Sequence, residues 1–209
     1  MNLLSRAGDQ WHEWVAKPDM HATVAGATDE QLMQRIAAGD RVAIQSLFAR
    51  HYARVYRFVL RQVRSETMAE EVANEVFLEA WRQADRFETR AQVSTWLLAI
   101  ARNKAVSLLR KRREVALADG QGEAIEDDAD TPETAMQKVD KSAALLRAIN
   151  QLSADHKTVI ELIYYHEKAL HEVSEILAIP LNTVKTRCFH ARKKLAELLQ
   201  QAGIDRGWP

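Results

Sequence analysis

A chain of 209 residues can build one large domain or two small ones, and 47% hydrophobic residues against only 7 Gly and 4 Pro favour packed helices over a many-stranded fold. The formal charge of zero conceals four unequal segments: residues 1–27 carry 2 basic and 3 acidic groups, 28–113 carry 16 and 10, 114–135 carry 0 and 8, and 136–209 carry 11 and 8. The single Cys188 excludes an intramolecular disulfide, no signal-peptide pattern opens the chain, and the longest purely apolar run, Trp96 to Ala101, is far too short to span a bilayer; a cytoplasmic protein without membrane insertion is expected.

Residues 1–27 read as an N-terminal extension with Trp11 and Trp14 at helical spacing. Thr28-Asp29-Glu30 then supplies a cap and early acidic residues for a helix through Ile36, and Gly39-Asp40 ends it and starts the next. From Val42 to Val63 the apolar residues Val42, Leu47, Phe48, Tyr52, Val55, Tyr56, Val59 and Val63 follow helical spacing. A third helix is predicted from Thr67 to Ala84 and a fourth from Gln92 to Arg113, closing a first module over 28–113. Residues 114–137 form an acidic linker, because eight carboxylates and no cation within 114–135 leave little apolar area to offset chain ordering. The second module, 138–202, is predicted to hold helices at Lys138–Gln151, Ala154–His166, Leu170–Leu177 and Leu181–Gln201, followed by a tail at 203–209. Pro180, lacking an amide hydrogen, ends the short helix and is tolerated at the start of the next. The fold class expected is all-α, two small helical domains on an acidic tether. Two positive modules flanking a negative segment suit polyanion binding, with a mixed-charge solvated surface as the alternative.

The segment Leu170 to Arg187 has the layout of a helix-turn-helix, whose second helix enters a DNA groove. On that helix Val184, Cys188, Ala191, Leu195 and Leu198 recur at intervals of four, three, four and three as one inward stripe. Lys185, Thr186, Phe189, His190 and Lys193 face elsewhere, and a face of Lys and Thr beside an aromatic suits phosphate, base-edge and thymine-methyl contacts. The alternatives are a Phe189 packed on a neighbouring helix and a solvated face at Arg192, Lys193 and Lys194.

The words LSADHKTVIELIYY, VSEILAIP and NTVKTRCFHARKKLAELL, spanning Leu152 to Leu199, resemble region 4 of sigma factors, particularly the extracytoplasmic-function group. The resemblance implies binding to the promoter element near minus 35 and docking on the polymerase flap. It carries DNA contact to Lys185, Thr186, Phe189 and His190, with Arg187 and Arg192 in support. The chain departs from the pattern at Ala178 and Asn182, where glycine is usual, Asn182 being able to serve as a cap. It departs again at Lys168-Ala169-Leu170, usually Leu-Ser-Tyr, and at His190, commonly arginine.

A second signature lies upstream. Ala69 to Trp81, Phe87, and Ser94-Thr95-Trp96-Leu97-Leu98-Ala99-Ile100-Ala101-Arg102-Asn103-Lys104 resemble sigma region 2, in order and spacing, across Thr28 to Arg113. Trp96, Asn103 and Arg110 stand seven residues apart and so share a stripe of the fourth helix. Asn103 and Lys104 can offer hydrogen bonds to an unstacked base and to phosphate, while Trp96 gives aromatic support or fills the core. By the resemblance, the loop from Phe87 to Ser94 with Asn103 and Lys104 captures the non-template strand near minus 10, and Arg110, Lys111, Arg112 and Arg113 lie near backbone phosphate. The third helix becomes the surface for core RNA polymerase at its clamp, through Glu70, Glu71, Asn74, Glu75 and Leu78.

The function expected is that of a non-catalytic promoter-directing subunit of RNA polymerase, with promoter DNA, the polymerase core (clamp and flap) and an anti-sigma protein as partners, and without cofactor or metal. A two-domain repressor or activator explains the second module only. A metalloenzyme using His166, His171, Cys188 and His190 lacks a zinc-protease spacing, since His171 follows His166 by five residues and not four.

Overall fold

The computed structural model describes residues 26–88, 90–118 and 141–204. The leader with Trp11 and Trp14, residue Thr89, the stretch 119–140 with Lys138, and the tail from 205 lie outside the described residues. Among the described residues every regular element is a helix, as the all-α reading expects. None of these helices is long and apolar enough to cross a membrane. The chain divides into two compact units, one within 1–120 and one within 121–209.

The first unit comprises α1 (Asp29–Ala37), α2 (Arg41–Val63), α3 (Glu66–Arg82), a short 3-10 turn (Ala84–Arg86) and α4 (Val93–Ala118). Side-chain caps set the starts. Thr28 Oγ1 accepts from the Gln31 amide at 3.3 Å while Gln31 Oε1 accepts from the Thr28 amide at 2.9 Å, a reciprocal capping box. Asp40 accepts from the amides of Val42 and Ala43 at 2.9 and 3.3 Å, and its other oxygen takes Arg35 Nε at 2.7 Å. The Arg35 guanidinium, with those two amides, holds the Asp40 carboxyl below its ordinary range. Ser65 caps α3 through the Met68 amide. Leu32, Ile44, Leu47, Phe58, Phe77, Leu97 and Leu98 then fill one core among the four helices.

The longest departure from the predicted boundaries is α4, which runs to Ala118 and takes residues 114–118 out of the expected linker. Glu114-Val115-Ala116-Leu117-Ala118 is rich in helix formers, and the first glycine comes only at Gly120. Before the 3-10 turn, α3 stops at Arg82, Gln83 forms its cap, and Ala84, predicted as its last residue, begins the turn.

Burial of His51 against α1 has a consequence for pH. Its Nε2 lies 2.7 Å from Asp29 Oδ2, yet burial pushes the imidazole pKa below 6.5, the nearby Asp29 carboxylate only opposing the shift. The folded state therefore binds this proton less readily than the unfolded chain. Its contribution is present above about pH 6.5 and is lost as the pH falls through the lower folded value. Thermal midpoints of the full chain should fall as pH drops below 6.5, and His51→Gln should flatten that part of the profile; an unchanged profile would refute the assignment.

The second unit comprises α5 (Lys141–Asn150), α6 (Ala154–Tyr164), α7 (Leu170–Leu177) and α8 (Leu181–Gln201). The two helices of the helix-turn-helix have the predicted bounds, whereas α6 ends two residues before the predicted His166. Leu152, Ile160 and Ala191 form a core cluster with Leu195 against it, and Val173, Ile176 and Val184 are buried between α7 and α8. Between those helices Ser174 Oγ donates to the Ile179 carbonyl at 2.6 Å, and Ala178 sits in the left-handed region at φ 51°. That backbone is why glycine suits this position. Ala178→Gly is expected to raise unit stability by about 0.5–1 kcal/mol, the relief of a left-handed Cβ exceeding the added freedom of the unfolded chain. A lower denaturation midpoint for the variant would count against it. Asn182 does not cap α8 as expected: Pro180 occupies the cap position, without a side-chain bond, and Asn182 falls inside the first turn.

Candidate nucleic-acid interface

In α4, Val93, Leu97, Leu98, Ala101 and Ala105 are buried, which fixes what remains outside. Trp96 is half-buried, its ring 5.3 Å from that of Phe87. Its two readings thus meet in one residue: the indole packs against Phe87 and keeps part of its surface exposed. One helical stripe further on, Asn103 is exposed and forms no hydrogen bond with another described residue. Arg110 and Lys111 are exposed as well, Arg110 lying 3.8 Å from Glu114 on the surface, a separation of little energetic weight. Arg112 donates to Met68 Sδ at 3.2 Å.

Lys104 has partners that the sequence did not indicate. Its ammonium lies 3.1 Å from Glu75 and 3.7 Å from Glu79 on α3, with 25% of its side chain exposed. Lys104 and Glu75, assigned from the sequence to a strand and to the polymerase respectively, form an ion pair between α4 and α3. A residue-by-residue reading cannot see this, because the partners are 29 positions apart. Glu70, Glu71, Asn74, Glu75 and Leu78 do share one face of α3, away from the buried Ala69, Val72, Ala73 and Val76, with buried Phe77 at its border beside Glu70 and Asn74. Behind that helix stands a ring cluster missed from the sequence: Phe48 lies 4.5 Å from Tyr52 and 4.9 Å from Phe77, and Tyr52 lies 6.0 Å from Tyr56. Burial first, and then the Glu70 carboxylate, push the Tyr52 phenol above its usual pKa. The helical spacing of these aromatics was the available signal.

On α8 the predicted inward stripe is fully buried only at Val184 and Ala191, while Cys188, Leu195 and Leu198 are half-buried. The predicted DNA-facing residues divide over two sides of the helix. Thr186 and His190 are exposed together with Asn182 and Lys193, the Thr186 hydroxyl donating to the Asn182 carbonyl at 2.9 Å. Lys185, Phe189 and Arg192 instead border an apolar groove of about 660 Å³. Arg187 turns to Asp155 on α6, at 2.6 Å. Its expected supporting role in DNA contact is thereby set against an existing ion pair.

The groove is walled by Leu145 and Ile149 of α5, Tyr164 at the end of α6 with Tyr165 after it, and Leu195 and Leu199 of α8, with Lys193 also at its edge. Phe189, 64% exposed and 5.4 Å from the His190 ring in an edge-on arrangement, stands between the groove and the Thr186–His190 side. Burial in this wall raises the Cys188 thiol pKa, opposed by Arg192. Among the described residues His166, His171, Cys188 and His190 are not gathered into a metal-ligand cluster.

Comparison with known proteins agrees with the two resemblances. The Sigma-70 region 2 model matches residues 47–115, and the Sigma-70 region 4 model matches residues 142–195. The ECF RNA polymerase sigma factor SigW of Bacillus subtilis is 35% identical over 125 residues, covering 56% of this chain and 67% of SigW. The ECF RNA polymerase sigma factor SigM of Mycobacterium tuberculosis is 28% identical over 172 residues, 82% of this chain and 85% of SigM. Among solved structures, the sigma factor RpoE of Bartonella quintana, crystallised with the anti-sigma factor NepR, superposes with a TM-score of 0.62 at 27% identity, over 78% of this chain and 98% of that one. With both regions matched in order, one on each folded unit, the chain belongs to the extracytoplasmic-function group of the sigma-70 family.

Proposed function

We propose that this chain is an alternative sigma subunit: it binds core RNA polymerase, recognises minus 35 and minus 10 promoter elements, and supports DNA opening through binding free energy, without chemistry of its own. The observation that carries the reading is the pairing, in one chain, of the two matched regions, each with polar side chains left exposed on its long helix: Asn103 on α4, and Thr186 with His190 on α8. On α8 this arrangement suits readout of base edges in a duplex groove. On α4 the exposed amide, the partly open Trp96 ring and the cations from Arg110 onward suit an unstacked strand.

The outer face of α3 offers carboxylates and Leu78 to a basic helical partner such as the polymerase clamp. Thr186, His190 and Lys193 carry the minus 35 contact, whereas Lys185, Phe189 and Arg192 serve both DNA and the neighbouring groove. The groove, apolar with a basic rim, suits an amphipathic helix, as the polymerase flap or an anti-sigma protein would present. The complex of the Bartonella relative with an anti-sigma factor supports regulation of this kind. Such work places the protein in the cytoplasm.

Transcription with purified core enzyme tests the proposal. The chain plus core should yield start-site-specific transcripts that core alone does not, and Asn103→Ala or a Thr186→Ala/His190→Ala pair should lower them about tenfold or more, since a good base contact is worth about 1–3 kcal/mol. If no specific transcript forms without another sigma factor, the reading is lost, and a repressor or activator that never meets the core takes its place.

A further inference from the structure

On α2 the outer side remains unused by the sites described above. Between Arg41 and Val63 there is no Asp or Glu, and Arg50, Arg54, Arg57, Arg61 and Arg64 follow one another at intervals of four, three, four and three. At 3.6 residues per turn the four within the helix, Arg50 to Arg61, fall within an arc of about 60°, and at 1.5 Å per residue their row is about 17 Å long; Arg64 follows as the left-handed cap of the helix. Val55, Phe58, Val59 and Val63 are buried on other sides of the helix, so the core fixes where the row points. Arg54 and Arg57 are exposed and enter no ion pair among the described residues. Arg57 Nε donates to the Ala53 carbonyl at 2.9 Å, which stiffens the side chain while leaving its terminal nitrogens available. At the upstream end Arg50 is steadied by the Ala27 carbonyl at 2.7 Å and Asp29 at 3.1 Å.

We propose that this arginine row is a docking surface for the phosphate backbone of duplex DNA. The proposal rests on the sigma reading only in assuming that the chain works at DNA. A straight, rigid series of forked cations matches a regular series of phosphates better than an irregular peptide of carboxylates. Its length exceeds the major-groove width of about 12 Å, so its ends reach phosphates on both flanks. Single strands are held by rings on which bases stack. The aromatics of α2 are spent elsewhere: Phe58 is buried, and Tyr52 is stacked between Phe48 and Tyr56. The surface therefore reads no sequence. It adds affinity that is sensitive to salt and positions the unit on the duplex.

The test compares the full chain with its Arg54→Gln/Arg57→Gln variant, using a labelled 30-base-pair duplex of arbitrary sequence and a labelled oligo-dT strand, between about 50 and 200 mM salt. Loss of two phosphate contacts should make the log K against log salt slope for the duplex shallower by about 1.8, with roughly tenfold or greater weakening. Binding to oligo-dT should change much less. Arg54→Lys/Arg57→Lys, which keeps the charge, should retain the slope, and all variants should melt at the wild-type temperature. An unchanged duplex slope, no wild-type duplex binding at the lowest salt, or an equal loss on oligo-dT would overturn the proposal. So would a peptide of residues 114–135 that binds the wild type and not the variant while duplex affinity stays constant, since the row would then be a site for acidic protein. A chain that binds duplex in the expected way yet starts no transcript with core enzyme would defeat the sigma role and leave the row intact.

Discussion

Glu172→Ala is expected to destabilise the second unit by about 3–5 kcal/mol, because it removes a paired carboxylate from a buried ammonium. Lys168 is 3% exposed at its side chain and Glu172 12%, and Lys168 Nζ lies 3.0 Å from Glu172 Oε1. The other Glu172 oxygen accepts from the Ala169 amide at 2.9 Å, which starts α7 where Ala169 offers no side-chain oxygen. One carboxylate thus neutralises a cation and supplies the missing cap. Replacing both charged groups is a different experiment. Lys168→Leu/Glu172→Gln removes the buried charge and keeps an oxygen for the Ala169 amide, so it should lie within about 1.5 kcal/mol of wild type. Hydrogen exchange at the Val173 and Val184 amides of the full chain localises the effect to this unit. A loss below about 1 kcal/mol in Glu172→Ala, or a double variant as damaged as the single one, would show that the pair does not hold the helix-turn-helix.

Phe77→Ala should cost the first unit about 3–5 kcal/mol. The ring has no exposed surface and lies 4.9 Å from Phe48 and 6.3 Å from Tyr52, so truncation leaves a cavity between α2 and α3. Functional loss would follow indirectly. Glu70 and Asn74, seven and three residues before Phe77, border its side of the same helix, and with Glu71 they depend on that packing for their alignment. Phe77→Leu should recover much of the stability, and polymerase binding should track the folded fraction across the two variants. Denaturation followed by circular dichroism, with binding to core enzyme measured in parallel, checks both. Wild-type stability in Phe77→Ala would refute the packing account.

The helix starts were legible in the sequence where their signals are local: Thr28 with Gln31, and Asp40 with Val42 and Ala43, act within three residues. The extension of α4 was hidden by composition, since the acidic character of 114–137 outweighed the helix-forming run Glu114 to Ala118. For the candidate site, a stripe count gives the angle of a residue on its own helix and says nothing about what arrives from another. The exposure of Asn103 was legible from its own helix. The ion pairs of Lys104 and Arg187 were not, because Glu75 and Asp155 reach them from α3 and α6. The apolar groove escaped notice for the same reason, since its walls come from three separated stretches that include Leu145, Tyr164 and Phe189. Lys168, a departure from the family pattern, becomes intelligible only beside Glu172.

The wall position of Cys188 gives the protein a built-in reporter. It is the sole cysteine in the chain, so a thiol-directed label attaches at a single place, beside Phe189 and Leu195. Because burial raises its pKa, little thiolate is present near neutral pH and labelling is slow enough to time. Anything that fills the groove shields the sulfur further, so the labelling rate measures occupancy there directly, without a mutation and without knowing in advance what the occupant is.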